Sequence, residues 1–283
     1  MPFHEEQLQF MIALAQERSP YLNPFFLFLN YFDTIYFGLV LIPLVWIGFS
    51  SRWGIRLYYI FLCSSLINSL AKFLVGWPRP CTDMPDIGLL CFPSFGFPSG
   101  GAQTAMLMGA LLIYYWKNKW AWMVGGAYIL LISFSRLYLG VHYPIDILGG
   151  WTIAFGLFYL FIRTIDPIEK YLQAQSLIYT CALAMIVPLL MLLFVSLSPK
   201  CNRCDAIALP IGMFISFKYH LYLKAPKSIW EGGFRGGVAA IVAVALYLLL
   251  KDSYPSCVYE IIIVFWFSLV ASPLYRGASK ITS

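Results

Sequence analysis

The sequence predicts an all-α polytopic membrane protein, a helical bundle with about nine transmembrane helices. Three observations predict it. Of 283 residues, 60% are hydrophobic and only 11% charged, with a mean hydropathy of +0.76. Apolar runs of spanning length recur with short connections, so a sizeable soluble domain has no room. Lys and Arg gather beside alternate connections, as they do on one side of a membrane. The net charge of +6 therefore reports topology, and no nucleic-acid partner is expected.

Residues 3–20 set Leu8, Phe10, Met11, Ile12 and Leu14 among acids and amides. This reads as a short amphipathic helix at the membrane surface, or as a solvated leader. Glu5, Glu6 and Glu17 argue against a cleavable signal, so the first span is expected to direct insertion. The spans fall near Asp33–Ser50, Ile55–Val75, Gly101–Trp116, Trp120–Leu139, Pro144–Ile162, Ile178–Leu197, Ala206–Leu223, Trp230–Leu250 and Cys257–Pro273. The count drops to about eight if the short third or the polar seventh run does not cross.

Charge orients the bundle. Arg52, Arg56, Lys117, Lys119, Arg163, Lys170, Lys218, Lys224, Lys227, Arg276 and Lys280 fall in alternate loops and the C-terminal tail, which should face the cytoplasm. That places the N-terminus and His142 outside. Cys63 and Cys181 lie inside spans, whereas Cys81, Cys91, Cys201, Cys204 and Cys257 fall on or beside outer loops, where disulfides are permitted. Cys81–Cys91 is the expected pair. Cys201 and Cys204 lack a second Cys or His pair for zinc and read as redox or structural partners of Cys257. Glu231 and Arg235, four apart, read as a helical ion pair.

Three polar clusters fall on the predicted outer side. In Ser135-Arg136-Leu137-Tyr138-Leu139-Gly140-Val141-His142-Tyr143-Pro144-Ile145-Asp146, Pro144 opens a helix and Asp146 lies in its first turn. Its carboxylate can fix the imidazole tautomer of His142 and leave the other nitrogen free to attack, with Arg136 as an anion clamp. A helix cap with a bonded neighbour is the plainer alternative. In Lys72-Phe73-Leu74-Val75-Gly76-Trp77-Pro78-Arg79-Pro80, Trp77 precedes proline, so the helix should stop near Gly76 and turn Arg79 back toward Lys72. Two snorkelling cations at a helix end are the alternative. In Phe97-Pro98-Ser99-Gly100-Gly101, a helix start offers unobstructed N–H groups to an anion, or is simply a cap.

Together these clusters, in order and spacing, resemble the three signature motifs of the type-2 phosphatidic acid phosphatase family, over roughly residues 25–165. About nine spans with an outward site also resemble its glucose-6-phosphatase branch. The resemblance implies a phosphatase core at 25–165; outside it, an N-terminal surface segment is expected at 1–24 and a C-terminal transmembrane extension of unassigned role at 166–283. It implies that His142 is phosphorylated, that Asp146 orients it, and that Lys72, Arg79, Arg136, Ser99 and the Gly100 amide hold phosphoryl oxygens. Cations positioned this way need no metal, and no cofactor is expected.

One position departs from the family: Gly101 stands where the family has a histidine that protonates the leaving oxygen. Losing a general acid costs about 10²–10⁴ in rate. A diphosphate suffers less, because its leaving group is a phosphate with a second pKa of about 6. The sequence therefore points to a lipid-phosphate phosphatase or phosphotransferase, with a lipid diphosphate favoured, acting among membrane lipids on a non-cytoplasmic face such as that of a bacterial inner membrane. The alternatives are a family member that binds lipid phosphates without turnover and, ranked third, a transporter, whose polar sites would be expected nearer the midplane.

Overall fold

The computed structural model describes residues 2–33, 35–176, 178–180, 182–183 and 225–253, with Ile262 and Trp266. Among them every regular element is helical. They are α1 (Pro2–Gln16), α2 (Asn23–Asn30), α3 (Ile35–Pro43), which runs on as a π-helical stretch over Leu44–Phe49, α4 (Ser51–Val75), the short α5 (Pro80–Asp83), α6 (Gly100–Trp116), α7 (Lys119–Tyr138), α8 (Pro144–Ala174) and α9 (Ile229–Leu250). Helices α4, α7, α8 and α9 are long and apolar enough to cross a membrane. Cys181, Cys201, Cys204, Cys257 and the expected span at Ala206–Leu223 lie outside the described residues, as do most of Ile178–Leu197 and of Cys257–Pro273.

The helix ends follow local chemistry. After α4 the Gly76 N–H bonds the Lys72 carbonyl at 2.9 Å, and Gly76 takes φ +65°, a turn that a side chain would strain. Ser99 caps α6 by accepting from the Ala102 N–H, and Asn118 caps α7 through Ala121. Between α6 and α7, a Cβ on Gly109 would sit 2.8 Å from the Gly125 carbonyl, so small residues let these helices approach closely.

The described chain forms two compact units, Met1–Thr34 with Cys63–Arg163 and Ile35–Leu62 with Thr164–Ser283. The first holds all three polar clusters. Its core joins Phe26 and Leu29 of α2 to Ala105 of α6 and to Ile132, Tyr138, Leu139 and Val141 at the end of α7. Helix α1 belongs here as well: Met11 is fully buried against Ile87 and Tyr143, so the expected surface helix has one face in the core. In the second unit, Trp46 and Ile47 of the π-helical stretch pack with Ile55, Ala239 and Ala243.

One boundary needs correction. The fifth span was expected to end at Ile162, ahead of a charged loop, yet α8 continues unbroken to Ala174 with Pro167 inside it. Within that extension Asp166 and Glu169 pair with Arg52 and Arg56 of α4. The expected Glu231–Arg235 ion pair is present in α9.

Candidate active site

The end of α7 brings Arg136 into the protein, and a tight turn then presents His142. Gly140 makes that turn possible: it has φ +73°, and a Cβ there would lie 2.2 Å from the Ile87 carbonyl. Pro144 opens α8, and Asp146 falls in its first turn. Asp146 Oδ2 accepts from the Tyr143 N–H at 2.9 Å and lies 3.1 Å from His142 Nδ1. On the other side of the ring, Arg79 Nη1 is 3.0 Å from His142 Nε2. A guanidinium only donates, so Nε2 is the acceptor and Nδ1 carries the proton toward Asp146. The ring therefore has its lone pair on the nitrogen facing Arg79.

His142 is 3% exposed, and Arg136 and Asp146 are fully buried. Burial, then the charges of Arg79, Lys72 and Arg136, hold the imidazole well below its ordinary pKa, partly opposed by a backbone contact with Gly96. The ring is thus held in its neutral form, with the Nε2 lone pair available.

The remaining predicted residues surround it. Arg79 donates from Nε to the Ser94 carbonyl at 2.7 Å, from Nη2 to Ser94 Oγ at 2.9 Å and from Nη1 to the Val141 carbonyl at 2.9 Å. Lys72 Nζ donates to the carbonyls of Phe95, Gly96 and Pro98 at 2.7, 3.1 and 2.8 Å. Lys72 and Arg79 thus grip the same segment, 94–98, directly ahead of α6. Arg136 reaches Ser135 Oγ and Asn30 Oδ1. Ser99 is buried, with its N–H on the Asp146 carbonyl at 2.9 Å, which ties the α6 start to the α8 start. Gly100 and Gly101 open α6 beside it. Cys81 and Cys91 are joined by a disulfide with Cα atoms 5.8 Å apart, closing the segment between Arg79 and Ser94.

Several supporting residues were missed in the sequence. Gln7 Oε1 accepts the Ile145 N–H at 3.0 Å, capping the helix that carries Asp146 from far away in the chain. Tyr143 O–H donates to Asp83 at 2.7 Å. Asn68 donates to the Pro98 carbonyl and to Gln103. Gln103 in turn donates to Ser64, so its amide is engaged with α4. Asn30 and Asn68 did leave a signal, as amides inside apolar runs. Among the described residues no three His, Cys, Asp or Glu side chains converge as a metal site.

This grouping of one neutral histidine, one carboxylate and three cations coincides with the part of the chain, residues 53–170, that matches the sequence model of the PAP2 superfamily. The undecaprenyl-diphosphatase of Sulfolobus acidocaldarius is 30% identical over 124 residues, covering 42% of this chain and 60% of that protein. Phosphatidylglycerophosphatase B of Bacillus subtilis is 27% identical over 170 residues, covering 55% of this chain and 81% of its own length. The chain thus spans less than two thirds of the first of these relatives. The crystal structure of a transmembrane PAP2-type phosphatidylglycerolphosphate phosphatase from Bacillus subtilis superposes with a TM-score of 0.50 at 26% identity, covering 59% of this chain and 88% of that one. Four helices able to cross a membrane, with the likeness to a transmembrane PAP2-type phosphatase, make this an integral membrane protein.

Proposed function

We propose that this protein is a lipid-phosphate phosphatase or phosphotransferase of the PAP2 kind that works through a phosphohistidine at His142, with a lipid diphosphate as the favoured substrate. The observation that carries the reading is the neutral His142 ring, backed through Nδ1 by Asp146 and faced on Nε2 by Arg79. In the reaction, Nε2 attacks phosphorus and an N–P bond forms as the bond to the leaving oxygen breaks. The resulting imidazolium is stabilised by the Asp146 carboxylate. Arg79 exchanges the ring nitrogen for a phosphoryl oxygen, and Lys72 and Arg136 add positive charge, with Ser99 and the Gly100 amide on the remaining oxygens. Water, or an acceptor alcohol in a transferase, then breaks the N–P bond.

Gly101 directs the substrate choice. Glycine has no proton to give, so a leaving group that departs as phosphate is favoured over an alkoxide. The likeness to an undecaprenyl-diphosphatase supports this choice. Loop charge supports an active site on the non-cytoplasmic face, such as the periplasmic side of a bacterial inner membrane.

A second reading, binding without turnover, is favoured by the same glycine and by Lys72 being held on three carbonyls. The deciding experiment compares phosphate release from a polyprenyl diphosphate and a phosphatidate in detergent, with His142→Ala as the blank. Release from the diphosphate, lost in the variant, is expected. Release from neither, with tight binding of both, supports the second reading.

A further inference from the structure

The second unit contains a cavity of about 430 Å³ whose wall includes Phe49, Ser50, Arg52, Glu169, Lys170 and Gln173. Part of that wall belongs to a charge cluster. Arg52 donates from Nε and Nη2 to Glu169 Oε2 at 2.9 and 2.7 Å, and Arg56 donates to Glu169 Oε1 and Oε2 at 2.7 and 2.6 Å. Asp166 Oδ1 accepts from both arginines. Arg56 and Glu169 are buried. Both Glu169 oxygens are thus occupied by guanidinium N–H groups, and the carboxylate has little left to offer a ligand.

The donors on the cavity wall are in the opposite condition. Among the described residues, the Lys170 ammonium and the Gln173 amide have no hydrogen-bond partner, and no bond is formed by Arg52 Nη1. Ser50 Oγ accepts from the Trp53 N–H, which leaves its proton to donate. Arg52, Arg56 and Lys170 carry three positive charges against the two of Asp166 and Glu169, so a cation would meet an excess of like charge. An anion with several acceptor oxygens is the class of ligand that such donors serve. Depth narrows the class. Arg52 lies in the first turn of α4 and Lys170 in the last part of α8, both helices long enough to span, so the cavity sits at the end of apolar runs, where headgroups lie. Phe49, partly exposed, adds an apolar flank.

We propose that this cavity is a second anion site that takes a phosphate group, carried by a phospholipid headgroup or free in solution. It stands on different residues from the His142 site and does not depend on the reading given there.

The test uses the full-length protein in detergent and measures binding by titration calorimetry with dihexanoyl phosphatidylglycerol, dihexanoyl phosphatidylcholine and inorganic phosphate. His142→Ala serves as background, so that the candidate active site does not turn over the ligand. Saturable binding of the phosphatidylglycerol is expected, weakened at least about tenfold in Lys170→Ala/Gln173→Ala and restored toward the parent by Lys170→Arg. Those two side chains lie outside the arginine–carboxylate cluster, and an unchanged melting temperature confirms folding. Equal, variant-sensitive binding of inorganic phosphate identifies the free ion as sufficient; variant-sensitive binding of the lipid alone identifies the headgroup. Equal binding of phosphatidylglycerol by the parent and by Lys170→Ala/Gln173→Ala, or no saturable binding at all, overturns the proposal.

Discussion

Replacing Asp146 with asparagine tests how the candidate nucleophile is prepared. Oδ2 of this buried carboxylate receives the His142 Nδ1–H at 3.1 Å and the Tyr143 N–H at 2.9 Å. An amide of the same shape can keep its oxygen toward both donors, so the fold should survive while the charge is lost. A hydrogen bond to a charged group contributes about 1.5–3 kcal/mol against about 0.5–1.5 for a neutral one. The difference of about 1–1.5 kcal/mol predicts a loss of about 5- to 15-fold in kcat from charge alone. If the amide instead turns its NH₂ toward the ring, the Nδ1–H tautomer is lost and the drop grows toward about 10⁴. Phosphate release from a lipid diphosphate, with KM and kcat separated, reads the effect, and it should fall on kcat. An Asp146→Asn protein with unchanged kcat would refute the assignment of Asp146 as the group that orients and charges His142.

Three further outcomes follow from the same geometry. Gly101→His should raise turnover of a phosphate monoester by about 10²–10⁴, with a much smaller gain on a diphosphate, measured as the ratio of kcat/KM for the two. Because burial and three cations lower the His142 pKa, its ring remains neutral as pH falls to the ordinary 6.5, and activity is lost only as pH passes through the lower, folded value. The acid limb of kcat/KM should therefore lie below pH 6.5, and a limb at or above that value would contradict the buried site. Gln7→Leu removes the acceptor for the Ile145 N–H and should cost about 1–3 kcal/mol of stability, seen in thermal unfolding, whereas Gln7→Glu keeps an acceptor and should lose less.

The turns that frame the site were legible because they depend on neighbouring residues. Trp77 before Pro78, Ser99 after Pro98 and Pro144 after the His142 turn each mark a helix end by backbone chemistry, and α4, α6 and α8 stop or start there. The pairing of His142 with Asp146 was legible for the same reason, four residues apart across one helix start. What escaped came through tertiary contact. Nothing near Gln7 in sequence says that it caps α8, and nothing near Ser94 says that it holds Arg79. The α8 extension was hidden because Arg163 and Lys170 read as loop charges, and nothing local says that Asp166 and Glu169 of the same stretch pair with Arg52 and Arg56. The resting contacts of the cations were equally hidden: Lys72 and Arg79 bond backbone carbonyls, which carry no mark in a sequence.

The proposed chemistry turns on a covalent intermediate at His142. Brief reaction of the purified protein with a lipid diphosphate labelled in its terminal phosphate, stopped in alkali, should leave label on the protein at His142, located by peptide mapping. The label should be absent from His142→Ala and discharged when water is allowed to react. Full turnover with no label at any time, or label unchanged in His142→Ala, would contradict the account.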